Sequence, residues 1–283
     1  MIKQGFIRFS TSQRVFAILR EFCTVLIIFI LRLGWILMWC IRMLAVILAG
    51  GYGKRLRPYT DDVPKPMIPV GDKPILEWQI EWLKKYGFRE IVLLVGYRKE
   101  KIIEYIGSGS RLGVRVTYVV EDEPLGTGGA IKNAEHVLSR NGTFLVINGD
   151  IITNLNPLKL VEKLEGSRYL GVIASIPLPS PYGVLEIEDE DRVKGFVEKP
   201  QLSDYWINAG VYALNPEALR YFPEKGDLEK TAFPAMARDG VLGTVRYTGV
   251  FWKAIDTFKE LEEASRAIHE IFHESPQPLR RRE

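Results

Sequence analysis

Past residue 42 the chain has no cysteine; its only two, Cys23 and Cys40, lie in the first forty residues. That excludes a disulfide framework or a cysteine-based zinc site from the rest of the chain, and it suits a reducing cytoplasm. Histidine is nearly as scarce. His136, His269 and His273 fall on or beside stretches of helical spacing and in no motif, so they read as surface residues rather than acids or bases. Excess charge of one sign is also missing from the body of the chain. The formal net charge is +3, yet Lys3, Arg8, Arg14, Arg20, Arg32 and Arg42 stand against Glu21 alone at one end, and Arg280, Arg281 and Arg282 lie at the other. A nucleic-acid binder would carry its basic surplus on the folded body. Nucleic acid is therefore excluded as a partner.

Residues 22–41 form the one long apolar run, interrupted by Arg32 and Gly34. Its length matches a bilayer span, but an arginine near its middle is costly there, and no small-residue cleavage site follows. Three readings stand: a membrane anchor, a helix lying on a surface, or upstream codons read from a wrong start. Met43 directly precedes an apolar strand with no linker, which favours the third. The expected organisation is an N-terminal extension 1–42, a catalytic domain 43–273 and a disordered tail 274–283. Membrane association follows only if residues 1–42 are genuinely translated.

From Met43 short apolar runs alternate with stretches of helical spacing. Residues 44–48, 91–95, 114–120 and 143–147 read as strands; 75–86, 100–106 and 130–138 read as helices, with Gly87 stopping the first. Strands apolar throughout and separated by helices predict a mainly parallel α/β sheet covered on both faces. After Asp150 the spacing tightens. Residues 169–176, 183–187, 193–197 and 207–214 are strand-like, with a charged hairpin tip at 188–191, and a last helix spans about 258–272. The expectation is one α/β domain with a strand-rich half.

Directly after the first strand comes Leu48-Ala49-Gly50-Gly51-Tyr52-Gly53-Lys54-Arg55-Leu56-Arg57-Pro58. Glycines 50, 51 and 53 leave backbone N–H groups open, the usual way to cradle phosphate. A dinucleotide fingerprint would need glycine at 56, and a P-loop would need Ser or Thr at 55. Pro64-Lys65-Pro66 follows. The stretch Gly50-Gly-Tyr-Gly-Lys-Arg-Leu-Arg-Pro-Tyr-Thr60…Pro64-Lys-Pro66 resembles the signature of the sugar nucleotidyltransferase family. The resemblance continues through Glu123–Gly129, Asn148-Gly149-Asp150, Phe196–Pro200 and Ile207–Gly210, over roughly residues 43–265. It implies a Rossmann-like, GT-A-like fold, a cytoplasmic transferase that binds a nucleoside triphosphate and a sugar 1-phosphate, and Mg²⁺ as cofactor. A homo-oligomer is compatible with it.

The reaction brings two anions face to face, so catalysis must be charge neutralisation and alignment. Arg55 is expected to hold the β- and γ-phosphates, and Lys65, stiffened between two prolines, to aim its ammonium at them. Either could instead be a solvated loop cation. By resemblance, Lys199 contacts the sugar phosphate, and Gly183, Glu198 and Asn208 bind the sugar. The nucleotide lies on Leu48, Ala49, Gly50, Gly51, Gly53, Lys54, Glu121, Gly126 and Thr127. Asp150, past an apolar strand, is implied as a Mg²⁺ ligand.

One departure stands out. Most of the family carries an aspartate where this chain has Ala254. Asp256 lies two residues on, resembling the glucose-1-phosphate cytidylyltransferase branch, and a two-residue shift along a strand would keep the face. Glu121, placed by resemblance at the base edge, only accepts hydrogen bonds. That matches the adjacent N1–H and amino donors of guanine and disfavours uracil and thymine. GTP with mannose 1-phosphate is the expected pair. The alternatives are a cytidylyl-, uridylyl- or thymidylyltransferase of glucose 1-phosphate, and a non-catalytic regulatory member of the family. A membrane-anchored glycosyltransferase would bind its metal through Asp-x-Asp at a strand end, and here Asn148-Gly149 precede Asp150.

Overall fold

The computed structural model describes residues 43–273. The expectations for residues 1–42, with Cys23 and Cys40, and for the tail 274–283 fall outside the described residues.

The chain opens on β1 (Leu44–Ala49), passes two short hairpin strands β2 (Pro69–Val70) and β3 (Lys73–Pro74), and enters α1 (Ile75–Lys85). It continues through β4 (Glu90–Val95), α2 (Lys99–Ile106), β5 (Arg115–Val120), α3 (Gly126–Asn133), α4 (Glu135–Leu138), β6 (Phe144–Asn148) and β7 (Ile151–Thr153). Then follow α5 (Leu158–Glu165), β8 (Gly171–Pro179), β9 (Val184–Ile187), β10 (Val193–Val197) and β11 (Gln201–Leu214). The last elements are α6 (Ala232–Arg238), β12 (Leu242–Arg246), β13 (Trp252–Ala254) and α7 (Phe258–His273).

Seven strands form one sheet in the order β12-β8-β11-β6-β1-β4-β5. Every pairing is parallel except those of β11, which runs antiparallel between β6 and β8. The central strands β1, β4 and β6 are apolar at nearly every position because both of their faces are covered. On one face Val46, Val92, Phe144, Val146, Tyr212 and Leu214 pack with residues of α3 and α6. A second core joins Ile75 and Trp78 of α1 to Ala264 and Ile268 of α7 through Leu56, Ile68, Ile152 and Ile255. The outcome is the mainly parallel α/β architecture that the alternation of apolar runs and helical spacing called for.

Several details differ from the sequence reading. Within the strand-rich half, β8, β11 and β12 extend the main sheet, while β9 and β10 pair as a hairpin of their own. The helix expected at 130–138 begins at Gly126 and breaks at Ala134, because its first turn is glycine and carries no apolar stripe. The strand expected from 207 starts at Gln201, with two register shifts along it. Absent from the sequence reading are β2, β3 and β7, of two or three residues each, α5 and α6, each about two turns long, and β12, Leu-Gly-Thr-Val-Arg, with few apolar side chains. Among the described residues no helix is long and apolar enough to cross a membrane.

Ile47 lies fully buried at the centre of the sheet, between β4 and β6. Truncating it leaves a cavity between packed layers. Ile47→Ala is expected to lower unfolding free energy by about 2–5 kcal/mol, read from the shift of the urea midpoint at unchanged slope.

Candidate active site

A cleft of about 280 Å³ opens beyond the C-terminal ends of β1 and β6, the usual place for ligands in an open α/β sheet. Leu48, Gly50, Gly51, Lys65, Glu121, Gly126, Thr127 and Asp150 line it, all expected from the sequence. Tyr52, Pro66, Pro124, Ala130, Asn148, Gly149 and Asp227 complete the wall.

The glycine loop and Glu121 occupy each other's space. A Cβ on Gly50 would sit 2.2 Å from Glu121 Oε1, and one on Gly96 2.7 Å from the same oxygen. The carboxylate is therefore seated against two stretches of bare backbone, one from each neighbouring strand end. Its Oε2 accepts a hydrogen bond from Leu125 N at 3.3 Å. Burial pushes the Glu121 carboxyl above its ordinary range, against the opposing pull of that N–H. Gly53, at φ +60°, takes the left-handed turn that sends the chain into Lys54 and Arg55. Its carbonyl accepts from Leu56 N at 2.9 Å and Thr60 Oγ1 at 3.0 Å.

Four charged side chains meet beside the cleft; Lys65 and Asp150 line it, and Arg55 and Asp256, though expected at the site, do not. Lys65 Nζ lies 2.7 Å from Asp150 Oδ2 and 2.7 Å from Asp256 Oδ1, and Arg55 Nη1 lies 3.2 Å from Asp256 Oδ2. Burial draws the Lys65 ammonium down, but the charge and hydrogen bond of Asp150, then those of Asp256, together outweigh it and hold the group above its ordinary value. Three distant segments supply this cluster. Lys65 begins a single helical turn, Lys65–Met67, whose chain enters α1 by way of β2 and β3. Asp150 sits in the turn between β6 and β7, and Asp256 follows β13, which pairs with β7. The strand ends at Ala254, so the same-face reasoning does not hold Asp256. Instead, Ile255 N donates to Asp150 O at 2.9 Å, and Asp256 N donates to Glu260 Oε2 at 2.8 Å at the start of α7.

Two hard carboxylates turned toward one cation suit Mg²⁺, which takes one or two protein carboxylates and completes its shell with phosphate and water. Among the described residues no cluster of three or more potential metal ligands occurs.

Other expected residues lie elsewhere. Ala49 is buried under the loop; Lys54 is exposed, with Nζ 5.8 Å from the Tyr52 ring centre. Gly183 packs against Phe196 and Glu198 at the β9–β10 arm, and Lys199 Nζ lies 3.2 Å from Glu198 Oε1. These arm residues and Asn208 do not line the cleft described above; Asn208 Nδ2 donates to Tyr212 OH at 3.0 Å. The glycine run at 126–129 also has a packing duty, since Gly128 N and Gly129 N donate to Gly226 O at 2.9 and 3.1 Å. Thr127 Oγ1 is likewise engaged, with Glu229 Oε2 at 3.0 Å and Leu228 N at 2.9 Å.

Gly96 and Asp227 escaped the sequence reading. For Gly96 a signal existed, a glycine closing an apolar strand beside the first one. Asp227 sits in a polar loop with no pattern to mark it. His136 and His269 lie apart from the cleft.

Lys65→Met would leave Asp150 and Asp256 facing each other without the ammonium between them. The melting temperature at neutral pH is expected to fall, and added Mg²⁺ to restore it more strongly than it raises that of the unaltered chain; scanning fluorimetry reads both.

Residues 44–271 match the family model described as nucleotidyl transferase. The probable mannose-1-phosphate guanylyltransferase 1 of Oryza sativa subsp. japonica is 39% identical over 221 residues, covering 75% of this chain and 61% of that protein. The mannose-1-phosphate guanyltransferase of Saccharomyces cerevisiae is 38% identical over 226 residues, covering 77% and 62%. The chain thus spans about three fifths of the length of these curated relatives. The solved structure of HddC from Yersinia pseudotuberculosis complexed with GMP-PN is 31% identical with a TM-score of 0.63, covering 80% of this chain and 99% of that one. A sheet with this strand order, a glycine loop against Glu121 and a family match over nearly all described residues agree: the chain belongs to the nucleotidyl transferase family.

Proposed function

We propose that this chain transfers a nucleotidyl group from a nucleoside triphosphate to a sugar 1-phosphate, with GTP and mannose 1-phosphate as the substrates. The observation that carries this is one cleft lined by the Glu121 carboxylate and by Lys65 and Asp150, whose ion pairs extend to Asp256 and Arg55, with a single loop between the two ends. Gly50 of that loop rests on Glu121, and Arg55, five residues on, reaches Asp256.

An oxygen of the sugar phosphate, already ionised, attacks the α-phosphorus. The new P–O bond forms as the bond to the β-phosphate oxygen breaks, and pyrophosphate leaves. No general base is needed, in keeping with a cleft that carries no histidine. Lys65 and Arg55 supply positive charge where the β- and γ-phosphates and the leaving pyrophosphate lie. The open N–H groups of Gly50 and Gly51 support the phosphates. Asp150 and Asp256 would hold Mg²⁺, which would supply further charge neutralisation on the phosphates. Glu121 accepts from the paired N–H donors of guanine. The names of the rice and yeast relatives, and the GMP-PN bound to HddC, support that base. We assign the sugar to the β9–β10 arm with Glu198, Gly183 and Asn208, and its phosphate to Lys199. Lys199 holds a left-handed backbone at φ +48°, a conformation rare outside glycine and frequent at ligand sites.

The full chain is expected to release pyrophosphate from GTP and mannose 1-phosphate in Mg²⁺, and Asp150→Asn to abolish release. Turnover with another nucleoside triphosphate would retain the enzyme class and refute the role of Glu121, turnover of GTP with another sugar phosphate would refute the choice of mannose alone, and no turnover from any pair would leave the regulatory reading. Glu121→Gln presents a donor to the guanine donors and is expected to weaken GTP binding about tenfold to hundredfold. Since burial raises the Glu121 carboxyl, its ionised form is lost earlier on acidification than an ordinary carboxylate would be. KM for GTP is therefore expected to rise as pH falls, beginning above the usual carboxylate range, and the rise to vanish in Glu121→Gln.

A further inference from the structure

Gln79 is 2% exposed, on the face of α1 turned to the sheet, in a helix whose other inward positions are mostly apolar. Its Nε2 donates two hydrogen bonds, to Asn148 O at 2.9 Å and to Ile151 O at 2.9 Å. Those carbonyls flank Gly149 and Asp150 on either side. Its Oε1 is buried and has no hydrogen-bond partner among the described residues. A buried acceptor left unpaired is a cost that leucine or methionine would not incur. The amide is therefore suited to its two donors rather than to packing.

The rest of the turn is tied as well. Gly149 N donates to Leu48 O at 3.0 Å, and Asp150 O accepts from Ile255 N at 2.9 Å. Gln79 is the side chain that closes the turn at both ends. Its helix is also reached directly from the Lys65 turn, since Ile75 N donates to Ile68 O at 3.0 Å. One helix thus mounts both the ammonium and the carboxylate that it meets.

We infer that Gln79 is a positioning residue that fixes the Asn148–Ile151 turn and so aims the Asp150 carboxylate at the divalent cation. The inference rests on the reading of Asp150 as a ligand of that cation. The amide acts on metal affinity through Asp150 and leaves the Glu121 end of the cleft untouched.

The test is Mn²⁺ binding by electron paramagnetic resonance on the full chain with GTP present, for the unaltered protein, Gln79→Met and Trp82→Phe. GTP affinity is measured alongside in chelator, without metal. Trp82 is the control: it is 3% exposed on the same helix and donates through Nε1 to Leu155 O at 3.0 Å, away from the turn. All are measured well below their melting temperatures. Gln79→Met is expected to weaken Mn²⁺ binding about tenfold with metal-free GTP affinity unchanged, and Trp82→Phe to leave both unchanged despite a lower melting temperature. If Gln79→Met does not fold, Gln79→Asn replaces it; shorter by one methylene, it keeps the amide but cannot span both carbonyls. Mn²⁺ binding as tight in the Gln79 variant as in the unaltered chain overturns the inference. So does an equal loss of metal and metal-free GTP affinity, which marks a general structural role. Absence of Mn²⁺ binding in the unaltered chain would instead overturn the metal reading of Asp150.

Discussion

A single ammonium group joins the parts of this site. Lys65 Nζ stands between Asp150 and Asp256, and Arg55 meets Asp256 from the other side. Two carboxylates this close would repel each other without a cation, and two cations would repel without the carboxylates. The cluster is formally neutral, so it can stand partly buried without an uncompensated charge. Its neutrality also sets what it can receive: an incoming polyanion needs positive charge, and an incoming divalent cation needs the carboxylates. The same four side chains offer both, because each holds its partner only by exchangeable ion pairs.

The other end of the cleft depends on absence of side chains. Glu121 lies where Cβ atoms of Gly50 and Gly96 would be, so the carboxylate and the two backbones fit only together. Loop and Glu121 are thereby coupled sterically, while loop and charge cluster are coupled through Arg55. The loop after β1 is the common border of both, and β1 is an interior strand, paired with β6 on one side and β4 on the other. A strand paired on both sides is the most rigid mount the fold offers for parts that must be aligned.

Much of this was legible in the sequence. The apolar runs at β1, β4 and β6 declared a buried parallel sheet, and the glycine spacing with Pro64-Lys65-Pro66 marked the loop that lines the cleft. Lys65, Asp150 and Asp256 stand in or beside readable motifs, and the structure brings both aspartates within hydrogen-bond reach of Lys65. The reason given for Asp256 was wrong. It is held by the Ile255–Asp150 bond and by Glu260, neither of which follows from strand alternation. Gln79 was invisible because a glutamine at a helical position carries no sign of what its amide will meet. Asp227 and the packing of Gly128 and Gly129 against Gly226 depend on a contact between segments about a hundred residues apart. Local spacing holds no information on such contacts. The short elements α6 and β12 gave little pattern, one interrupted by Pro234 and the other of five mixed residues, whereas α5, with Leu160, Val161 and Leu164 on one buried face, was as readable as α2 of the same length.

The cluster also has a schedule. Asp150 lies 85 residues from Lys65 along the chain, and Asp256 lies 191 from it. At a synthesis rate of about 5–20 residues per second, roughly 10–40 s separate the making of Lys65 from that of Asp256. During that interval the glycine loop, Glu121 and then Asp150 already exist, and the ammonium has at most one of its two partners. A chain cut short before β13 would hold Glu121 and the loop but not the second carboxylate. Completion of the charge cluster is thus a late event in the life of each molecule, tied to the arrival of the last strand.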